Sequence, residues 1–251
     1  MPEKSYLCTL NYREMTSLDE QISHQVLSWK HILQAAKDVG FDACGIASAG
    51  RLDDDAVFME RWIAQGLHGN LSYLERNTEK RYDIRQLVQG AQWVIVVLLH
   101  YNKCGHDYHR TIKSLLYQLE AQLGNIPLPT QHIFCDSAPV LERKWAVMAG
   151  LGFIGRNRQF IHPQLGSLVH LGELVVGCEV TDIDTSTAPE IQAGCGDCRI
   201  CIDRCIRGAL GLDVWDARKC LAYETHKCTV CQQVCPYNQK SEQTPLNTNK
   251  I

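Results

Sequence analysis

Residues 195–205 read CGDCRICIDRC, four cysteines at C-x₂-C-x₂-C-x₃-C. A second run, KCTVCQQVCPYN at 227–238, sets Cys228, Cys231 and Cys235 at C-x₂-C-x₃-C-P, with Cys220 upstream. Together they supply eight cysteines, enough for two sites of four. In two-cluster ferredoxin modules three thiolates of one tight run converge on one 4Fe-4S cubane, and the fourth cysteine of that run belongs to the neighbouring cluster. Applied here, Cys195, Cys198, Cys201 and Cys235 hold one cluster, and Cys205, Cys220, Cys228 and Cys231 hold the other. Pro236 fits this pattern, whereas Ile206, where a second such proline would stand, departs from it. The alternative is a pair of Cys₄ zinc sites, which paired C-x₂-C elements also serve. Against zinc stands the third closely spaced cysteine of each run, which a cluster needs and a zinc knuckle does not.

Working outward, 251 residues with 45% hydrophobic and 21% charged side chains can bury a full core and still carry a small second module. The longest apolar run, 93–99 in WVIVVLLH, is too short to span a bilayer, and no signal-peptide pattern opens the chain. A cytoplasmic protein without membrane contact is therefore expected, where thiols stay reduced and dense cysteine spacing points to metal or redox chemistry. The odd total of thirteen cysteines agrees. A net charge of −3 provides no global basic field, so a nucleic-acid partner would need a local patch.

The remaining cysteines have plainer readings. Cys44, Cys135 and Cys178 sit in apolar stretches as small hydrophobes, Cys8 lies in an N-terminal arm, and Cys104 in NKCGHDYH stands near ionisable groups. The ten histidines include no H-E-x-x-H pair. GLGFIG at 150–155 has the wrong glycine spacing for a dinucleotide loop.

The chain divides into an arm at 1–19, a main domain at 20–180, a polar linker at 181–193 and a cysteine-rich module at 194–251. Apolar periodicity predicts a helix over 21–39 closed by Gly40, a strand at 41–48, and helices at 53–65 and 69–76. A strand at 93–99, a helix at 107–123, a strand at 131–135 and a helix at 139–150 follow, then apolar stretches at 158–162 and 167–178. This alternation implies an α+β fold, a mixed sheet with helices packed on it.

Beyond the cysteines, GFDACGIASA (40–49), GLHGNLSYLERNTEKRYDIRQLVQGAQWVIVV (66–97), DYHRTIKSLL (107–116) and DSAPVLERKWAVMAGLGFIGRNRQFIHPQLGSLVHLGEL (136–174) occur in a characteristic order. With them the chain, from about residue 25 to 238, resembles the epoxyqueuosine reductase family. The resemblance implies a catalytic domain holding base-off cobalamin, followed by a ferredoxin-like module with two 4Fe-4S clusters. The implied reaction reduces the epoxide of epoxyqueuosine in tRNA to the alkene of queuosine, releasing water. Asp136 in FCDSAPVLER is the implied proton donor; desolvation beside a cofactor face would raise its pKa. Its plain alternative is helix capping, by Asp136 or Ser137, of a helix that Pro139 begins.

The resemblance also implies corrin contacts at Arg81, Asp136, Phe160, Leu171, Ala222, Cys228 and Thr229, with Tyr108 and His109 facing the substrate. As plain alternatives, Phe160 and Leu171 would serve as core residues and Arg81 as a surface ion-pair partner. Implied partners are a queuosine-type tRNA and a one-electron donor such as flavodoxin or ferredoxin, acting on a monomer. Two departures stand out. Members of the family commonly continue into helical repeats that grip tRNA, whereas this sequence ends sixteen residues after Cys235, and only seven residues separate Cys220 from Cys228. RNA contact would then fall to Arg143, Lys144, Arg156, Arg158, Arg199, Arg204 and Arg207, residues that in other settings are simply a solvated face. Two other functions fit the cysteines: a reductase of a small molecule on the related dehalogenase architecture, and an electron-transfer or zinc-binding module without catalysis.

Overall fold

The computed structural model describes residues 26–124, 132–183, 194–225 and 227–243. The arm at 1–19 and most of the linker at 181–193 lie outside these residues. Buried Leu27 between exposed Val26 and half-buried Ser28 marks an edge strand, and β1 (Val26–Ser28) pairs in parallel with Glu179–Thr181. The helix predicted from residue 21 thus starts only at Trp29; α1 (Trp29–Asp38) turns Ile32, Ala35 and Ala36 inward and ends before Gly40, whose φ is +103°. β2 (Ala43–Ser48) and α2 (Asp53–Ala64) follow as predicted.

The helix predicted over 69–76 is only a 3₁₀ turn at Ser72–Glu75. Left-handed residues at Gly69 and Asn77 bracket it and allow no longer helix. Two short helices, α3 (Thr78–Tyr82) and α4 (Ile84–Leu87), lead to β3 (Trp93–His100). Next come α5 (Tyr108–Leu123), β4 (Ile133–Phe134), α6 (Glu142–Met148), the hairpin of β5 (Phe153–Ile154) and β6 (Phe160–Ile161), β7 (Val169–Val176) and β8 (Glu179–Thr181).

The main sheet runs β2-β3-β7-β4 and is antiparallel at every pairing, so the parallel contact of β1 with β8 belongs to a separate ladder rather than to one mixed sheet. β3 is apolar from Trp93 to Leu99 because both its faces are covered. Ile95, Val97 and Leu99 join Leu174 and Val176 under α1 and α5, whose buried stripe is Ile112, Leu116, Leu119 and Leu123. Val94, Val96 and Leu98 join Val175, Phe134 and Phe160 against Trp145 and Ala146 of α6. The GLGFIG glycines serve packing: a Cβ on Gly152 would lie 2.2 Å from the Ile161 carbonyl oxygen.

The cysteine-rich segment is built of turns and short helices: α7 (Ile200–Asp203), α8 (Leu221–Thr225), α9 (Val230–Gln233) and α10 (Pro236–Gln243). Several contacts join it to the main domain, two of them through buried side chains. Trp62 Nε1–H donates to the Trp215 carbonyl at 2.6 Å while the two indoles stack at 5.2 Å. Buried Asn238 accepts the Ser167 N–H at 2.6 Å and donates to Ser167 Oγ and to the Gln232 carbonyl at 3.0 and 2.8 Å. No helix among the described residues is long and apolar enough to cross a membrane.

Candidate active site and cysteine module

β4 ends at Phe134, and two residues later the chain turns left-handed at Asp136, φ +47°. Aspartate tolerates this region better than most side chains. The helix that follows begins at Glu142, with Leu141 as its cap residue and no side-chain capping bond. Asp136 and Ser137 are therefore not its caps, and Pro139 does not begin it.

The Asp136 carboxyl is 68% exposed. Tyr108 Oη–H donates to its Oδ2 at 2.7 Å, and His109 Nε2 lies 3.9 Å from the same oxygen. Tyr108 stands in the first turn of α5, its ring stacked 3.9 Å from His109 on one contact and 3.9 Å from His170 on the other. His170 stacks in turn on Tyr101 at 4.2 Å. Burial, then the neighbouring charge of His109, pushes His170 down to about 4, so this ring is neutral near pH 7. Burial, then the bond to Asp136, pushes the Tyr108 phenol up, which keeps it a donor.

Beneath Asp136 lie two more carboxyls. The Asp136 backbone N–H donates to Glu142 Oε1 at the start of α6. Glu173 is 0% exposed on β7, in register with Val96 of β3 and Phe134 of β4, and neither of its carboxyl oxygens has a hydrogen-bond partner. Burial raises Glu142 to about 7, the Asp136 N–H opposing and the Asp136 charge adding to the rise. Burial, then the charges of Glu142 and Asp136, carries Glu173 well above the usual carboxylate range. Glu142 and Glu173 are thus the desolvated carboxyls of the group, and Asp136 is its exposed member. Sequence reading missed both glutamates. The signal for Glu173 was an acid in the middle of an otherwise apolar strand, VHLGELVV.

Cys195, Cys198, Cys201 and Cys235 line one cavity of about 140 Å³, with Arg156, Asn157 and Ile161 of the main domain forming part of its wall. The Arg156 N–H donates to Cys195 Sγ at 3.3 Å and its Nη1 to the Cys198 carbonyl at 2.6 Å. Burial, then proximity to Cys195, Cys235 and Cys198, raises the Cys201 thiol. Cys231 is pushed up to about 11 by burial, then by the nearby thiols of Cys220, Cys201, Cys228 and Cys205. The Ala209 N–H donates to Cys205 Sγ at 3.3 Å. Among the described residues no three His, Cys, Asp or Glu side chains converge closely enough for one metal ion. Four thiols lining one cavity, with a backbone N–H aimed at the Cys195 sulfur, form a donor set that a 4Fe-4S cluster can use.

Against known proteins, the chain is 32% identical to the epoxyqueuosine reductase of Leadbetterella byssophila over 254 aligned residues, 86% of this chain and 80% of that protein. The chain belongs to the epoxyqueuosine reductase family. No protein-family model matches it. The solved epoxyqueuosine reductase of Streptococcus thermophilus superposes with a TM-score of 0.74 at 25% identity, covering 84% of this chain and 66% of that one. An epoxyqueuosine reductase crystallised with an epoxyqueuosine-modified tRNA-Tyr stem loop shares the fold at a TM-score of 0.71 and 22% identity, covering 90% of this chain and 66% of that one. This family member thus spans just under two thirds of those solved chains.

Among the corrin contacts that the family resemblance implies, the side chains differ in access. Leu171 and Ala222 are half-buried, Cys228 is half-buried and Thr229 exposed at the start of α9. Phe160 is 3% exposed inside the core. Arg81 is 6% exposed and no surface ion-pair partner: its Nη2 donates to the carbonyls of Tyr73 and Arg76 at 3.1 and 3.2 Å, and its Nε–H has no partner. Leu171, Ala222, Cys228 and Thr229 are thus at least partly accessible, whereas Phe160 and Arg81 are buried.

Proposed function

We propose that this chain is an epoxyqueuosine reductase acting on tRNA, with Asp136 as the proton donor, cobalamin against half-buried Leu171, Ala222 and Cys228 and exposed Thr229, and two 4Fe-4S clusters in a ferredoxin-like module. The observation that carries the redox reading is the cavity walled by Cys195, Cys198, Cys201 and Cys235 and closed by Arg156 and Asn157 of the main domain. Cys205, Cys220, Cys228 and Cys231 would hold the second cluster. When bound, these groups supply the two electrons that, with two protons, convert the epoxide to an alkene and water.

The chain's own residues supply protons and order. Tyr108 Oη–H occupies Asp136 Oδ2, leaving Oδ1 as the oxygen from which a proton can pass to the epoxide oxygen. Neutral His170 holds the Tyr108 ring by stacking, and partly exposed His109 lies 3.9 Å from Oδ2, where it can pass a proton from solvent. Arg143, Arg156 and Arg158 offer cationic contacts for the RNA backbone, and a flavodoxin- or ferredoxin-like protein would deliver the electrons.

Nucleoside analysis of tRNA from a strain lacking this chain tests the reading: epoxyqueuosine should accumulate and queuosine should vanish, both reversed by the intact chain. Unchanged queuosine with no epoxide would overturn it. Anaerobically purified protein should show a broad absorbance from iron-sulfur clusters; a colourless zinc protein would defeat the redox reading.

A further inference from the structure

The proposed function uses Asp136 and leaves the two carboxyls beneath it without a task. A glutamate sealed in a sheet with neither oxygen satisfied is costly to keep. Here it lies next to a second glutamate whose oxygen meets the backbone N–H of the one left-handed acid at the site.

We propose that Glu142 is the positioning residue of this site: it holds the Asp136 peptide N–H and so fixes the left-handed turn that presents the Asp136 carboxyl to Tyr108, with Glu173 as the second carboxyl of the pair. This rests on the reading of Asp136 as proton donor. The geometry is a two-point mount. The backbone of Asp136 is tied to α6 through Glu142, and its side chain to α5 through Tyr108. Both helices lie on the main sheet, on opposite faces, so the turn between them is referenced to the rigid part of the fold. Glu142 acts only through Asp136.

The groups facing Glu142 make the mount sensitive to protonation. Asp136 and Cys135 approach from the turn after β4, Tyr108 from α5 and Glu173 from β7, with Arg143 on its own helix. Arg143 is the one cation among them. Ionised Glu142 accepts the Asp136 N–H more strongly than neutral Glu142 does, and its changeover lies at about 7. The mount therefore tightens as pH rises through neutrality.

Amide hydrogen exchange of the full chain at the Asp136 N–H, corrected for intrinsic rates, reads the mount without any turnover. Glu142→Ala should lower the protection about tenfold, the usual worth of one such hydrogen bond, while Glu142→Gln, whose amide oxygen accepts the same N–H, should keep most of it. In the unmodified chain protection should increase between pH 6 and 8, and in Glu142→Gln it should not; this comparison holds even if Glu142→Ala does not fold. On modified stem loop, kcat of Glu142→Ala should fall about tenfold with KM nearly unchanged. Equal protection in Glu142→Ala and the unmodified chain, or protection flat with pH in both the unmodified chain and Glu142→Gln, overturns the mount. Lost protection with full turnover overturns the positioning role. A chain whose every variant leaves epoxyqueuosine untouched instead defeats the functional reading, and the exchange data still decide the mount.

Discussion

Asn238 offers the sharpest test of how the cysteine module is fixed to the main domain. Its carboxamide is 3% exposed, and it accepts from the Ser167 N–H while donating to the Gln232 carbonyl. Asn238→Ala strips a buried N–H and a partly buried C=O of this partner at once. Each such loss costs about 1–3 kcal/mol, so the variant should lose roughly 3–5 kcal/mol. The Gln232 Nε2–H bond to the Ser167 carbonyl, at 3.0 Å, survives and keeps the docking from failing altogether. For a chain of this size that is a drop in Tm of roughly 8–15 °C. Asn238→Asp separates hydrogen-bond pattern from volume. It keeps an acceptor for Ser167 N–H but points an oxygen at the Gln232 carbonyl, so it should be at least as destabilising at pH 8. Urea unfolding followed by tryptophan fluorescence suits the test, since Trp215 lies on the module and Trp62 on its partner. Losses below about 1 kcal/mol in both variants would refute the reasoning, because no buried network is so cheap to break.

Three further outcomes are expected. Asp136→Asn should lower kcat about 10²–10⁴-fold on modified stem loop with KM little changed, and Tyr108→Phe about tenfold; an Asp136→Asn enzyme of full activity would remove the proton donor. Cys201→Ser and Cys205→Ser should each abolish one cluster, so that each single variant keeps about half of the iron and the double variant almost none; a double variant that still keeps half would show that both cysteines serve one site. The third concerns pH: folded Glu142 keeps its proton to about 7 whereas the unfolded side chain releases it near 4.5, so its contribution is full below 4.5 and lost as pH rises through 7, roughly 3 kcal/mol in all. The unfolding free energy of Glu142→Gln minus that of the unmodified chain should increase by that amount from pH 4.5 to 8, and a pH-independent difference would refute it. Taking the difference cancels the opposite drift from His162 and His170, both held down to about 4 mainly by burial.

Much of the fold was legible where one period dominated. The run 93–99 reads as a strand and forms one over Trp93–His100, and Ile112, Leu116, Leu119 and Leu123 repeat at helical spacing. The predicted helix over 69–76 failed because backbone handedness, set by Gly69 and Asn77, outweighed side-chain pattern. At 26–28 a parallel partner 153 residues away decided the strand, and no local signal carries that. The spacing of the cysteine runs set Cys195, Cys198, Cys201 and Cys235 apart as one group, and these four do line a common cavity. The Glu142–Glu173 pair was not legible: it exists only because α6 crosses β7 beside the end of β4.

Strand β7 carries Leu171 and Glu173 toward α6, and His170 and Gly172 toward α5. Side chains alternate along a strand, so adding or deleting one residue within 169–176 would exchange the two sets. Glu173 would be driven under α5, and His170 would leave the Tyr108 stack. A substitution along β7 disturbs one face of the sheet, whereas a single-codon insertion or deletion there would dismantle both halves of the acid site in one step.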